Sequence, residues 1–347
     1  MVAALELGLD TFGDVTEDES GARQSEGQVI RDVIDEAVLA DQLGVDFFGL
    51  GEHHRDDFAV SAPEVVLAAI AAKTTRLRIG SAVTVLSSDD PVRVFQRFST
   101  LDAVSGGRAE VILGRGSFTE SFPLFGYDLS QYNELFEEKL GLFAALLEEN
   151  EVTWSGTRRA NLNDQAVYPR TESGRLTTWV GVGGSPESVV RAARYKLPLA
   201  LAIIGGNPRR FRSLVDLYLR SLESFGAEPL PVCVHSPGYV AATDEIAREE
   251  FFPYMKEQRD RIGAERGWGP MTRASFDAET SERGSFYVGS PETVARKIAD
   301  TASVLGLARF DLKYSNGRML HEKLMRSIEL YGRDVIPLVR ELMAERR

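Results

Sequence analysis

Short apolar runs alternate with amphipathic stretches along nearly the whole chain. Leu5–Leu9 reads as a first strand. Across 26–43 the apolar positions Val29, Ile30, Val33, Ile34, Ala37 and Val38 recur at helical spacing. Strands are expected at 45–50, 77–86, 109–113, 178–182, 198–204, 230–240 and 309–314. Helices are expected to follow each of them, from Pro63, from Asp90-Pro91 to Val104, and over 130–148, 187–195, 209–225, 244–262 together with 291–305, and 320–343. Several helix starts carry a proline just inside a Ser or Asp, as in Asp90-Pro91 and Ser185-Pro186. Strands that are apolar without strict alternation suit a parallel sheet covered on its outer face. Eight strand–helix units predict an α/β fold, a closed (β/α)₈ TIM barrel extending over residues 1–347 as a single domain. The rhythm pauses at 151–177, where Trp154-Ser155-Gly156 and Val167-Tyr168-Pro169 suggest a small hairpin, and again at 263–284. Both segments are expected to be insertions in strand–helix connections that wall or cover the active-site end.

Composition narrows the picture. The chain is 43% hydrophobic and 27% charged, as a chain with a full core should be. Its net charge of −12 disfavours nucleic acid and anionic membrane surfaces as partners. No apolar run approaches the roughly 20 residues that span a bilayer. The first residues carry Glu6 and Asp10, unlike a signal peptide, and the single cysteine, Cys233, permits no internal disulfide and no zinc-type spacing. A cytoplasmic location and no bound metal are the expectations.

Four places hold candidate chemistry. Glu52-His53-His54 follows the second strand directly and contains half of the four histidines. Ligands of such folds bind at the carboxyl ends of strands. An imidazole there can move a proton near neutral pH or simply pack, and Glu52 can fix a tautomer or anchor a loop. Gly114-Arg115-Gly116-Ser117 follows the fourth strand: the glycines allow a tight turn and the arginine a permanent cation suited to phosphate, or a solvated turn. Gly181-Val182-Gly183-Gly184-Ser185-Pro186-Glu187-Ser188 runs from strand to capped helix, which presents free N–H groups to an anion or is only a well-capped start. Ser81-Ala82-Val83-Thr84 ends the third strand in small residues, against which a flat ring or a neighbouring barrel layer can lie. Phe12, Phe58, Phe118 and Phe122 are expected to line the pocket.

Taken in order, Gly51-Glu52-His53-His54, the run from Arg78 to Val83, Asp90-Pro91-Val92-Arg93 and the run from Leu101 to Gly116 resemble the bacterial luciferase-like flavin monooxygenases. Leu124-Phe125-Gly126, the region from Gly183 to Leu197, the run from Val288 to Glu292 and Asp334-Val335-Ile336-Pro337 extend the resemblance to essentially the whole chain. The resemblance implies a barrel that binds FMN at its mouth, with His53 as the active-site histidine and Arg115 on the FMN phosphate. It also implies Gly183, Gly184, Ser185 and Ser188 at the helix start around that phosphate, and Ala82-Val83 under the ring, joined by a non-proline cis peptide. Asn133 stands where the luciferases carry a second arginine, and their aldehyde-pocket and mobile-loop sequences are not recognisable, which argues against light emission. The activity implied is an FMN-dependent monooxygenase that takes reduced flavin from a separate flavin reductase and acts, with O₂, on a small organic substrate. The alternatives are a hydride-transfer oxidoreductase using a deazaflavin coenzyme and a non-catalytic flavin-binding protein. The resemblance also implies a homodimer, paired through a helix after an early strand, and the helix from Pro63 to Lys73 offers an Ala-rich face that permits close approach.

Overall fold

The computed structural model describes residues 4–346. In chain order its elements are β1 (Glu6–Thr11), α1 (Glu26–Leu43), β2 (Phe47–Leu50), α2 (Pro63–Lys73), β3 (Arg78–Val85), α3 (Pro91–Ser105), β4 (Ala109–Gly114), the short α4 (Ser121–Leu124) and α5 (Tyr132–Leu146). Then come β5 (Val152–Trp154), β6 (Leu162–Gln165), β7 (Thr177–Val182), α6 (Pro186–Arg194), β8 (Leu199–Ala202), α7 (Arg212–Ser224), β9 (Val232–Val240), α8 (Asp244–Arg266) and α9 (Arg273–Thr280). The chain finishes with β10 (Tyr287–Gly289), α10 (Pro291–Leu305), β11 (Arg309–Lys313), α11 (His321–Leu330) and α12 (Ile336–Glu345).

The parallel strands β1, β2, β3, β4, β7, β8, β9 and β11 pair in that order, and β11 returns to β1, so the eight expected strands close a (β/α)₈ barrel. Closure leaves no edge to protect. A ninth short strand, β10, adds to the far end of β9 at Gly238–Val240. Among the described residues no helix is long and apolar enough to cross a membrane.

The junctions show why the chain alternates so regularly. At the mouth, Asp90, Ser185, Asn207 and Ser290 each cap a helical turn with the side chain and are followed by proline. The cap satisfies an orphan N–H, and proline fills a position where none is needed. At the opposite end Gly44 and Gly106 take left-handed backbone, return their N–H groups to the last helical carbonyls, and release the chain into the next strand. Arg108 closes this end further, donating to the carbonyls of Ala71, Thr74, Leu77 and Ser105.

The two interrupting segments differ. Residues 151–177 follow helix α5 and precede strand β7. Their hairpin, β5 with β6, packs outside the barrel through Thr157 and Arg158 on Glu138, and none of these residues lines the central cavity. The expected wall is therefore absent there. The second segment, expected as an irregular stretch from 263, starts inside α8, which runs four residues further than expected, and contains α9. Together with β10 these helices form an excursion between β9 and α10, on the strand–helix side, and α8 contributes much of the cavity wall.

The barrel axis is polar at its base. Arg309 is fully buried, its guanidinium 3.9 Å from the Phe47 ring centroid and 4.6 Å from that of Trp179. It donates to Glu110 at 2.7 Å and to Asp311 at 3.0 Å, while Trp179 Nε1 and Arg78 also meet Glu110. Above it Ile112, Trp179, Ala200 and Cys233 form a separate apolar layer against Ala82 and Val83. Gly8 is required beside this group, because a Cβ there would collide with Asp311.

Removing one partner of a buried ion pair leaves the other uncompensated. Arg309→Met should therefore destabilise the protein by about 3–5 kcal/mol, whereas Arg309→Met with Glu110→Gln should recover part of that loss. Urea denaturation of both variants checks this; equal losses would remove the ion pair as the cause.

Candidate functional site

A cavity of about 400 Å³ opens at the carboxyl ends of the barrel strands. It brings together most of the residues singled out in the sequence. His53, Ala82, Val83, Arg115 and Gly183 line it, as do Phe12, Phe58 and Phe118. Gly184, Ser185 and Ser188 stand just behind Gly183, at the start of α6, and are not themselves part of the lining. Phe122 is a correction: it is fully buried and packs against Tyr132 at 5.6 Å instead of facing the cavity.

One wall is made of backbone. The Ala82–Val83 peptide is cis, as the resemblance implied. Gly114 and Gly181 lie against the Val83 side chain, and a Cβ on either would press into it. Beside this wall stands Arg115. Its Nη1 donates to Asn133 Oδ1 at 2.7 Å, and its guanidinium lies 5.1 Å from the Tyr132 ring centroid. Among the described residues it forms no salt bridge, so an unneutralised cation faces the mouth. Next to it, Ser185 caps α6 and Gly183 has open space where a Cβ would be. Arg191, one turn into α6, donates to Ser188 Oγ at 3.3 Å and pairs with Glu137. This second cation was not foreseen, because helical periodicity alone does not tell which face of α6 turns back towards its own start.

The opposite wall is aromatic. His53 sits among Phe12, Phe58 and Phe118, with ring centroids 4.6, 4.5 and 5.0 Å away. Burial, and then the nearby Lys313, His54, Arg55 and Arg266 side chains, push its pKa down to about 3. The imidazole is neutral at physiological pH. His54 differs: its Nε2 meets Glu52 Oε1 at 2.9 Å, and Glu52 Oε2 accepts the Val85 N–H at 2.8 Å. Glu52 thus orients His54 and also anchors the end of β3, both of the roles open to it in the sequence.

Three residues escaped the sequence analysis. His235 Nδ1 meets Asp10 Oδ2 at 2.6 Å, and Asp311 lies beside them; all three line the cavity. Asp10 lay beyond the expected end of β1, which continues to Thr11. In β11, Arg309, Asp311 and Lys313 alternate with Phe310 and Leu312, a pattern that ordinarily places charge in water. Here the apolar residues face the helices and the charges face the barrel interior. Burial, opposed by Arg309 and reinforced by Asp10, pushes the Asp311 carboxyl up to about 7.

The roof is held by charge. Arg55 bonds Glu265 of α8 through both terminal nitrogens, at 2.8 and 2.7 Å, and also meets Asp57 and Glu120. Arg266 donates to the Ser117 carbonyl at 2.7 Å over the Phe118 ring, and Gln258 donates to Asp14 Oδ1 at 2.6 Å.

Residues 11–308 match the family model described as luciferase-like monooxygenase, and the chain belongs to that family. It is 27% identical over 326 residues to the 4-hydroxyprotoasukamycin monooxygenase of Streptomyces nodosus subsp. asukaensis, covering 87% of this chain and 84% of that one. In fold it is similar to the monooxygenase RslO1 of Streptomyces bottropensis, with a TM-score of 0.82 and 24% identity, over 96% of this chain and 99% of the other. Two neighbours use different cofactors. The oxygenating constituent of 3,6-diketocamphane monooxygenase from Pseudomonas putida, in complex with FMN, has a TM-score of 0.75 and 18% identity, with 96% and 99% covered. The coenzyme F420-dependent tetrahydromethanopterin reductase of Methanopyrus kandleri has a TM-score of 0.70 and the same identity and coverage.

The His53 environment carries a consequence for acid stability. Its pKa is depressed in the folded state, so the unfolded chain binds a proton between about pH 6.5 and 3 that the folded chain refuses. Stability therefore falls as pH falls through that window. At about pH 5 the loss from this one group is about 2 kcal/mol, and His53→Gln should remove it. Denaturant titrations at pH 7 and pH 5 measure the difference; an identical pH dependence in the variant would count against a neutral His53.

Proposed function

We propose that this protein is an FMN-dependent monooxygenase acting on a small organic substrate. The observation that carries the proposal is a flat, backbone-lined wall, Ala82-Val83 with Gly114 and Gly181, flanked by the unpaired Arg115 and the open start of α6. These residues fit a flavin mononucleotide. The ring would lie on the glycine-bounded wall, where side chains are kept out of its plane. The phosphate would meet the Arg115 guanidinium, Ser185, Ser188 and the free N–H groups at Gly183–Gly184. Arg191, paired with Glu137, stands behind Ser188 on this side, and Asn133 holds Arg115 in position.

Reduced flavin, when bound, supplies the activation of O₂. The chain's own part is to exclude water and place protons. Phe12, Phe58, Phe118 and the roof of α8 close the ring side of the cavity against solvent. His53, held neutral, offers one nitrogen as hydrogen-bond donor and the other as acceptor without bringing a positive charge to the ring. No nicotinamide-binding unit is apparent in the sequence, so reduced flavin would come from a separate reductase. The protein would pair as a homodimer through α2 and work in the cytoplasm. A deazaflavin coenzyme fits the same wall and cation; the absorbance and mass of the chromophore retained on purification separate the two.

Arg115→Ala should weaken FMN binding by about 1.5–3 kcal/mol, the scale of a charge-assisted hydrogen bond. Fluorescence titration of the flavin gives the dissociation constant directly, and an unchanged value would remove Arg115 from the phosphate site. His53→Ala should retain FMN yet lose about 10²-fold or more in substrate-dependent turnover. Retained turnover with His54→Ala inactive would transfer the role to His54.

A further inference from the structure

The cavity holds a second imidazole, built differently from His53. His53 has no carboxylate partner and is enclosed by rings. His235 is oriented by Asp10, whose carboxylate fixes the proton on Nδ1 and turns the lone pair of Nε2 outward. Nε2 makes no hydrogen bond among the described residues, and the ring lies nearly parallel to Phe12, with centroids 5.8 Å apart and planes 15° from one another. The floor beside it is acidic. Asp10 Oδ1 and Asp311 Oδ1 are both buried, both belong to cavity-lining residues, and neither meets a donor. Arg309 already holds Asp311 Oδ2 at 3.0 Å, and Lys313 is engaged by Asp14 at 2.9 Å. Such a floor leaves an apolar group facing unsatisfied carboxyl oxygens. It suits a ligand that brings its own O–H. The walls above it, Phe12, Phe58, Phe118 and Phe286, suit a flat ring.

From this juxtaposition we infer that the substrate is a phenol, and that His235, held by Asp10, takes the proton from its hydroxyl. The O–H bond breaks, an N–H bond forms at Nε2, and the electron pair stays on the phenolate oxygen. Asp10 stabilises the imidazolium through its bond to Nδ1–H. No oxidant enters this step. Its result is an electron-rich ring, the form that an electrophilic oxygen donor attacks most readily. The inference rests on the proposed flavin monooxygenase reading and names the substrate class and proton acceptor of that same site.

The test uses 4-fluorophenol as the probe and fluorine NMR as the readout, on the full chain loaded with oxidised FMN, so no turnover is involved. The fluorine shift reports whether the bound phenol is ionised. In the native protein the apparent pKa of bound 4-fluorophenol should fall by roughly one unit or more below that of the free probe. His235→Gln should abolish that shift while leaving the FMN dissociation constant unchanged, and Asp10→Asn should cut it at least about twofold. The ether 4-fluoroanisole, which has no proton to give, should bind more weakly. A bound probe that titrates like free phenol in the native protein overturns the inference without any variant. So does a shift that survives His235→Gln. FMN binding with no binding of 4-fluorophenol overturns the phenol class and leaves the flavin reading standing. Failure of FMN itself to bind counts against the flavin reading instead.

Discussion

Everything at the mouth of this barrel stands on a guanidinium buried at its base. Arg309 has rings on two sides and carboxylates along its edge. A charge so placed survives only if its partners are fixed, because each would be uncompensated without the others. The arrangement ties β11 to β4, β7 and β2 across the barrel interior, so strands far apart in sequence share one register. It also sets the height of Asp311 two residues further on, and with it the floor of the cavity. The apolar layer of Ile112, Trp179, Ala200 and Cys233 lies above this base, and Asp311, which bonds Arg309 and lines the cavity, links the two groups of charges.

Much of the fold was legible because each strand–helix unit carries its own local signals. Ser25, Asp90, Ser185 and Ser290 begin helices, Gly44 and Gly106 end them, and the apolar strands between have no competing periodicity. The part of the site that lies on backbone and turns was legible for the same reason: Arg115, Gly183 and the Ala82–Val83 step sit at strand ends, where the pattern itself marks a boundary. What could not be read was the inside of the barrel. Arg309, Asp311 and Lys313 alternate with apolar neighbours as a surface strand would, and sequence period cannot say which face is water. Asp10 and His235 meet across 225 positions, and only closure of the barrel brings them together. Residues 151–177 misled in the opposite way. An interruption in the rhythm signals an excursion, but not which end of the barrel it leaves from.

The site has two sides with different chemistry. Around His53, rings and cations keep an imidazole uncharged. Around His235 stand the carboxyl groups of Asp10 and Asp311. Phe12 packs against both imidazole rings.

The roof follows a different physical rule from the walls. Phe12, Phe58 and Phe118 close the cavity by apolar contact, which added salt does not weaken. Helix α8 is fastened over them by Arg55 on Glu265, where the guanidinium is buried, and by Arg261 on Asp56, where both partners are exposed. Screening acts on exposed pairs of this kind and leaves buried rings alone. Ionic strength is thus a lever on how readily the chamber admits and releases its contents, separate from any lever on what the chamber holds. A solution that loosens the lid need not disturb the vessel.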